Sequence, residues 1–135
     1  NVWLGVSGSE PDAVRRRLDA LRQVPAAVRF LSLEPQIAPV DLTGQLDGVS
    51  WVICGGESVG KGQTARPFHE EWALSVIEAC RAQGVACYIK QIGAITIPLE
   101  GGVRLVPNDQ LARVRPELDV REWPKAAPPA QGALL

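Results

Sequence analysis

The chain has 135 residues, with 14 Lys+Arg against 15 Asp+Glu for a net charge of −1, and is 46% hydrophobic and 21% charged. This is the composition of an ordinary folded domain and excludes disorder throughout. Balanced charge gives no long-range field, so nucleic acid is not indicated as a partner, and no apolar stretch approaches the roughly 20 residues that span a bilayer.

Four short apolar runs mark strands: residues 2–7 (VWLGVS), 28–33 (VRFLSL), 51–55 (WVICG) and 85–91 (VACYIKQ). Each is rich in β-branched or aromatic residues and is bounded by Gly, Pro or acidic side chains. Between the first two the spacing predicts a helix, with Ser9 as its cap and Pro11 in its first turn. Val14, Leu18, Leu21 and, less closely, Val24 form its apolar face. Its arginines alternate with Asp12 and Asp19, which reads as a solvated face.

The segment from Pro35 to Gly48 holds at most one helical turn, being broken by Pro35, Pro39 and Gly44. A second helix follows, with Glu70 and Glu71 in its first turn, Trp72, Val76, Ala79 and Cys80 as its stripe, and Gly84 at its end. Residues 94–107 read as a hairpin turning at Glu100-Gly101-Gly102. LARVRPELDVREWP is short and Pro-broken, and residues 125–135 read as an unstructured tail.

Strand–helix–strand order at this spacing predicts parallel β-α-β units with helices on one side. Leu4 and Val6, Leu31 and Leu33, and Cys87 and Ile89 share an aliphatic face. Gly5 and Ser7, Phe30, Ser32 and Glu34, and Tyr88 and Lys90 fall on the other. A doubly wound sheet is apolar on both faces, whereas a barrel lumen turns polar at its mouth. We therefore expect an α/β fold, a partial (β/α) half barrel of about four parallel strands. Residues 1–93 form the β/α units, 94–124 an extension of the same domain, and 125–135 the tail. A complete eight-unit barrel takes about 250 residues.

In such folds ligands gather at the C-terminal strand ends. Ser7, Glu34, Glu57, Ser58, Lys90 and Gln91 stand there, and Arg66 and His69 follow on the next loop. Carboxylates and a lysine in one mouth make a polar site; the plain alternative is a structural Lys90–Glu57 ion pair. Arg66 suits a carboxylate or phosphate, and His69 is read first as the cap of the helix at Glu70.

Gly55 to Lys61 also matches the G-x-x-x-x-G-K core of a phosphate loop. Gly62 stands where a magnesium-binding Ser or Thr is needed, and no helix pattern begins there. Cys54, Cys80 and Cys87 lack metal-site spacing and fit no closed disulfide set, so no metal site and a reduced, cytoplasmic protein are expected. Met is absent and residue 1 is Asn. With a strand-like run starting at once, the chain reads as a piece of a longer polypeptide.

NVWLGVS, PAAVRFLSLEPQIAPVDL, LDGVSWVICGGES, ARPFHEEW, GVACYIKQIG and LDVREWP together resemble, in order, a phage- and prophage-associated family of unknown function. That family is described as three-cysteine-motif and radical-SAM-like. The resemblance runs from Asn1 to about Pro124. It implies the C-terminal portion of a partial barrel whose full-length relatives use S-adenosylmethionine and an iron–sulfur cluster held by an N-terminal cysteine motif absent here, leaving this chain without cofactor and catalytically silent alone. It carries over Glu34, Glu57, Ser58, Arg66, His69, Lys90 and Gln91 as the lining of a substrate and cofactor mouth. The chain departs from the family pattern in the loop from Val59 to Thr64 and at Ile92, where an aromatic is usual.

Two other readings compete: a nucleotide-binding protein using the Gly55–Lys61 loop, and a non-enzymatic module that dimerises through open strand edges. The expected partner is the missing barrel half or a second copy of the chain.

Overall fold

The computed structural model describes residues 2–60 and 63–125, so Lys61 and all but the first residue of the expected 125–135 tail lie outside the described residues. Strand β1 (Trp3–Ser7) is followed by helix α1 (Pro11–Arg22), β2 (Val28–Leu33) and β3 (Trp51–Gly55). The two-residue β4 (Phe68–His69) then leads into α2 (Glu70–Ala82) and β5 (Ala86–Gln91). After these come β6 (Ile95–Ile97) and β7 (Arg104–Leu105). The fold is mixed α/β, with a parallel sheet in the order β1-β2-β3-β5 and a small second sheet, β4-β6-β7.

The register sorts the side chains as their alternation demands. Gly5 aligns with Phe30, Ser7 with Ser32, and Ile53 with Tyr88, while Val6 aligns with Leu31 and Val52 with Cys87. The second set is the covered face. Leu31, Leu33, Val52, Cys54, Cys87 and Ile89 share one core with Val14, Leu18 and Leu21 of α1 and with Ala73, Val76, Ile77 and Cys80 of α2. Both helices thus lie on one side of the sheet, as right-handed crossovers require. Burying each large aliphatic here contributes roughly 1.5–3 kcal/mol. Between β2 and β3 no helix forms, and Val40, Leu42, Leu46 and Val49 fill its place in the same core. Gly44 and Gly48, at φ 66° and 71°, make the turns that segment needs.

The opposite face carries aromatic rings near the N-terminal strand ends. Trp51 is their centre, with Phe30 at 6.0 Å, Tyr88 at 6.1 Å, Trp3 at 6.4 Å and Trp123 at 4.8 Å. Gly5 has no side chain because the Phe30 ring occupies that space.

Several local expectations change. Glu10, not Ser9, holds the N-cap position of α1, and its side chain makes no capping bond; Pro11 takes the first turn as expected. Val24 is exposed and leaves the apolar face. The hairpin forms, with Gly101 and Gly102 at φ 86° and 84° in its turn, but it pairs with β4 and covers no edge of the parallel sheet. That edge, at β5, is met by the Pro-broken C-terminal segment. The Ile89 N–H donates to Val120 O, the Glu122 N–H donates to Cys87 O (both 2.8 Å), and Tyr88 bridges Arg121 antiparallel.

Glu70 takes the first turn of α2 as expected, and it is buried there. Its carboxylate accepts from Arg115 Nη1 at 3.1 Å and from the Leu99 N–H at 3.2 Å, tying α2 to the hairpin and to the chain beyond it. Among the described residues no helix is long and apolar enough to cross a membrane.

Candidate functional site

The uncovered face becomes polar at the C-terminal strand ends. Ser32 and Glu34, two residues apart on and just past β2, point the same way, and Lys90 does so from β5. The Lys90 ammonium lies 3.4 Å from Glu34 Oε1 and donates to Oε2 at 3.5 Å. The Ser32 hydroxyl donates to Oε2 at 3.3 Å.

The strands that carry Glu34 and Lys90 are not neighbours, because β3 runs between them. Strand spacing puts them about 9.5 Å apart. Their side chains meet because β3 presents only Gly55 below them, where a Cβ would stand 2.9 Å from Glu34 Oε1. The pair therefore arches over a glycine.

All three contacts to Glu34 are at the long end of hydrogen bonding. Its Oε1 is shielded from solvent and accepts no hydrogen bond among the described residues. Lys90 keeps 56% of its side-chain surface, so the ion pair contributes little to stability and its spare donors are free to meet a ligand.

Glu57 and Arg66 form a second, saturated pair. Glu57 Oε2 accepts from the Arg66 backbone N–H at 2.8 Å and from Nε at 3.0 Å, and Oε1 accepts from Nη2 at 2.7 Å. These bonds hold the Glu57 carboxyl down at about 2. The alternative Lys90–Glu57 pair is thus not the one formed: Lys90 takes Glu34, and Glu57 takes Arg66. Gln91 donates from Nε2 to Gly56 O at 2.9 Å, fastening the loop after β3 to the end of β5.

Ser7 aligns with Ser32, with its carbonyl accepting from the Arg17 guanidinium. Ser58 is exposed beyond β3. His69 stands at the N-cap position of α2 without capping it. Its ring stacks on Trp72 at 4.5 Å, and Nδ1 lies 3.7 Å from Glu71 Oε1. The preference for stacking on a neighbouring indole replaces the expected cap.

The three cysteines are buried between sheet and helices, on the face opposite Glu34 and Lys90. Burial drives the Cys54 thiol well above its ordinary value; a Cys80 hydrogen bond and burial raise Cys87. No group of three potential metal ligands occurs among the described residues. These residues therefore do not fit an iron–sulfur cluster. Sequence reading missed Ser32, whose hydroxyl reaches Glu34, and Gly55, whose role shows only when strands on either side of it are known.

Fold and site define an α/β protein with a one-sided parallel sheet and a cluster of polar side chains at its C-terminal strand ends. Residues 1–125 match the family described as a protein of unknown function, DUF5131, and the chain belongs to that family. No curated protein and no solved structure matches it.

Proposed function

We propose that the helix-free face is one wall of a partial β/α barrel, and that Glu34, Lys90, Ser32, Ser7 and Gln91 line the ligand mouth of an enzyme. The reading extends to the finer expectation drawn from the resemblance: a phage-related, radical-SAM-like enzyme of which this is the C-terminal portion. The supporting observation is the difference between the two faces. One is packed under helices; the other runs from an aromatic floor to an unsaturated carboxylate–ammonium pair, the gradient of a barrel lumen.

S-adenosylmethionine and a cluster belong to that finer reading. Since the cysteines here do not fit a cluster, no chemical step is assigned through either group. Lys90 offers hydrogen-bond donors, Glu34 an acceptor, and the aromatic rings an apolar base beneath them.

A thermal-shift screen of small polar metabolites, S-adenosylmethionine included, tests the site. A stabilising ligand should lose its effect in Glu34→Gln and in Lys90→Met and keep it in Arg81→Gln, at the far end of the sheet. A ligand whose stabilisation survives both mouth substitutions refutes the assignment. Anaerobic expression of the chain together with the sequence encoded upstream tests the finer reading, and a colourless product would count against the cluster. The phosphate-loop alternative has less support: helix α2 starts only at Glu70, and Glu57 already carries Arg66.

A further inference from the structure

We infer that the sheet is extended at β1 alone, by a parallel strand from the polypeptide preceding it, and that the wall ends at β5 without closing. This rests on the reading of the helix-free face as a barrel wall.

In a parallel ladder the backbone groups of alternate residues point to opposite sides. Val2 O accepts from the Ala27 N–H at 2.9 Å, and the Gly8 N–H donates to Ser32 O at 2.9 Å. Even-numbered residues of β1 therefore face β2, and Trp3, Gly5 and Ser7 turn their N–H and C=O groups outward. Arg17 takes the Ser7 carbonyl. The remainder of the outward row pairs with no strand among the described residues. Beside it, Val2 and Trp3 are 59% and 48% exposed. A row of unpaired backbone groups flanked by apolar side chains is the surface that strand addition recognises.

The other edge differs. Residues 120–122 hydrogen-bond along β5, and Trp123 folds back over Trp51 and Tyr88. A strand arriving there would displace them. Direction follows from topology. Each successive strand of the sheet lies beside the last, always on the same side, so the place flanking β1 belongs by the same rule to the strand before it.

Residue-resolved hydrogen exchange distinguishes the possibilities, comparing the 135-residue chain with the same chain preceded by its upstream reading frame. The outward Trp3 and Gly5 amides should exchange about 100-fold more slowly in the longer protein, while those of Ile89 and Glu122 stay unchanged. Trp3→Pro in the longer protein removes one outward N–H without touching the β2 ladder and should reduce Gly5 protection at least about tenfold; Trp3→Phe should not. The amides of Leu4 and Val6 report that each variant is folded.

Equal exchange in both proteins overturns the proposal. So does protection of Trp3 and Gly5 in the short chain that grows with its concentration, since that identifies a second copy as the occupant. Either result leaves the Glu34–Lys90 mouth to be judged by its own ligand response.

Discussion

Replacing Gly55 with alanine places a methyl group 2.9 Å from Glu34 Oε1 and 3.4 Å from Gln91 Cγ and O, where ordinary contact begins at 3.4 Å. The carboxylate has to retreat by about half an ångström from a position where it already holds Lys90 at only 3.4 Å. Overfilling a packed site costs about 1–3 kcal/mol. The lower half of that range applies, because one of the displaced groups is the end of a flexible side chain. A loss of about 1–2 kcal/mol lowers the melting temperature by roughly 3–10 °C.

Glu34→Ala alone should be nearly neutral, since Lys90 is 56% exposed and stays hydrated when the pair is lost. In the Glu34→Ala background, however, the new methyl finds room. The double-mutant cycle, followed by thermal and urea denaturation, should show a favourable coupling of at least about 0.5 kcal/mol. Additivity of the two substitutions within about 0.3 kcal/mol would refute the idea that this glycine is what lets Glu34 and Lys90 meet.

Arg66→Ala should raise the Glu57 carboxyl from about 2 towards, but short of, its ordinary 4.5, because the backbone N–H of residue 66 still donates to it, as followed by carboxyl NMR. Because the folded value is the depressed one, the clamp stabilises the protein fully above pH 4.5 and loses its effect as pH falls towards 2. Arg115→Ala strips the buried Glu70 of its nearest cation and should lower the midpoint of urea denaturation, whereas Arg15→Ala, at an exposed pair on α1, should not. Ellman's reagent should label Cys54, Cys80 and Cys87 slowly in the native protein and at once in denaturant, since burial keeps the thiolate out of reach.

Much of the fold was legible because its periodicities are clean. The 5–7-residue apolar runs became β1, β2, β3 and β5, and the alternation within them sorted Phe30, Ser32 and Glu34 from Leu31 and Leu33 before any neighbour was known. The β2–β3 crossover was legible as irregular from its prolines and Gly44. What escaped depends on partners distant in sequence. Glu70 was legible as a first-turn acid, but its burial depends on Arg115 and the Leu99 N–H being brought to it from the hairpin side. Residues 120–122 lack any period and are held by two backbone hydrogen bonds to β5, too few to leave a pattern.

The mouth was legible as a set of residue types at strand ends but not as a set of pairs. Charge alone cannot say whether Lys90 chooses Glu34 or Glu57. That choice was settled by Arg66, whose planar fork and backbone N–H together satisfy Glu57 better than a single ammonium could.

The ladder between β3 and β5 slips between Cys54 and Gly55, so that Gly55 aligns with Gln91 instead of Lys90. Two consecutive β5 residues, Lys90 and Gln91, thus stand against one glycine, and a Cβ on Gly55 would meet Gln91 Cγ at 3.4 Å as well as Glu34 Oε1 at 2.9 Å, so both neighbours reach the same side. The amide stitches the backbone of the following loop, and the amine is left to reach across to the carboxylate. A side chain on β3 at that point would crowd both; its absence lets one irregularity serve a neutral tie and a charged pair at once.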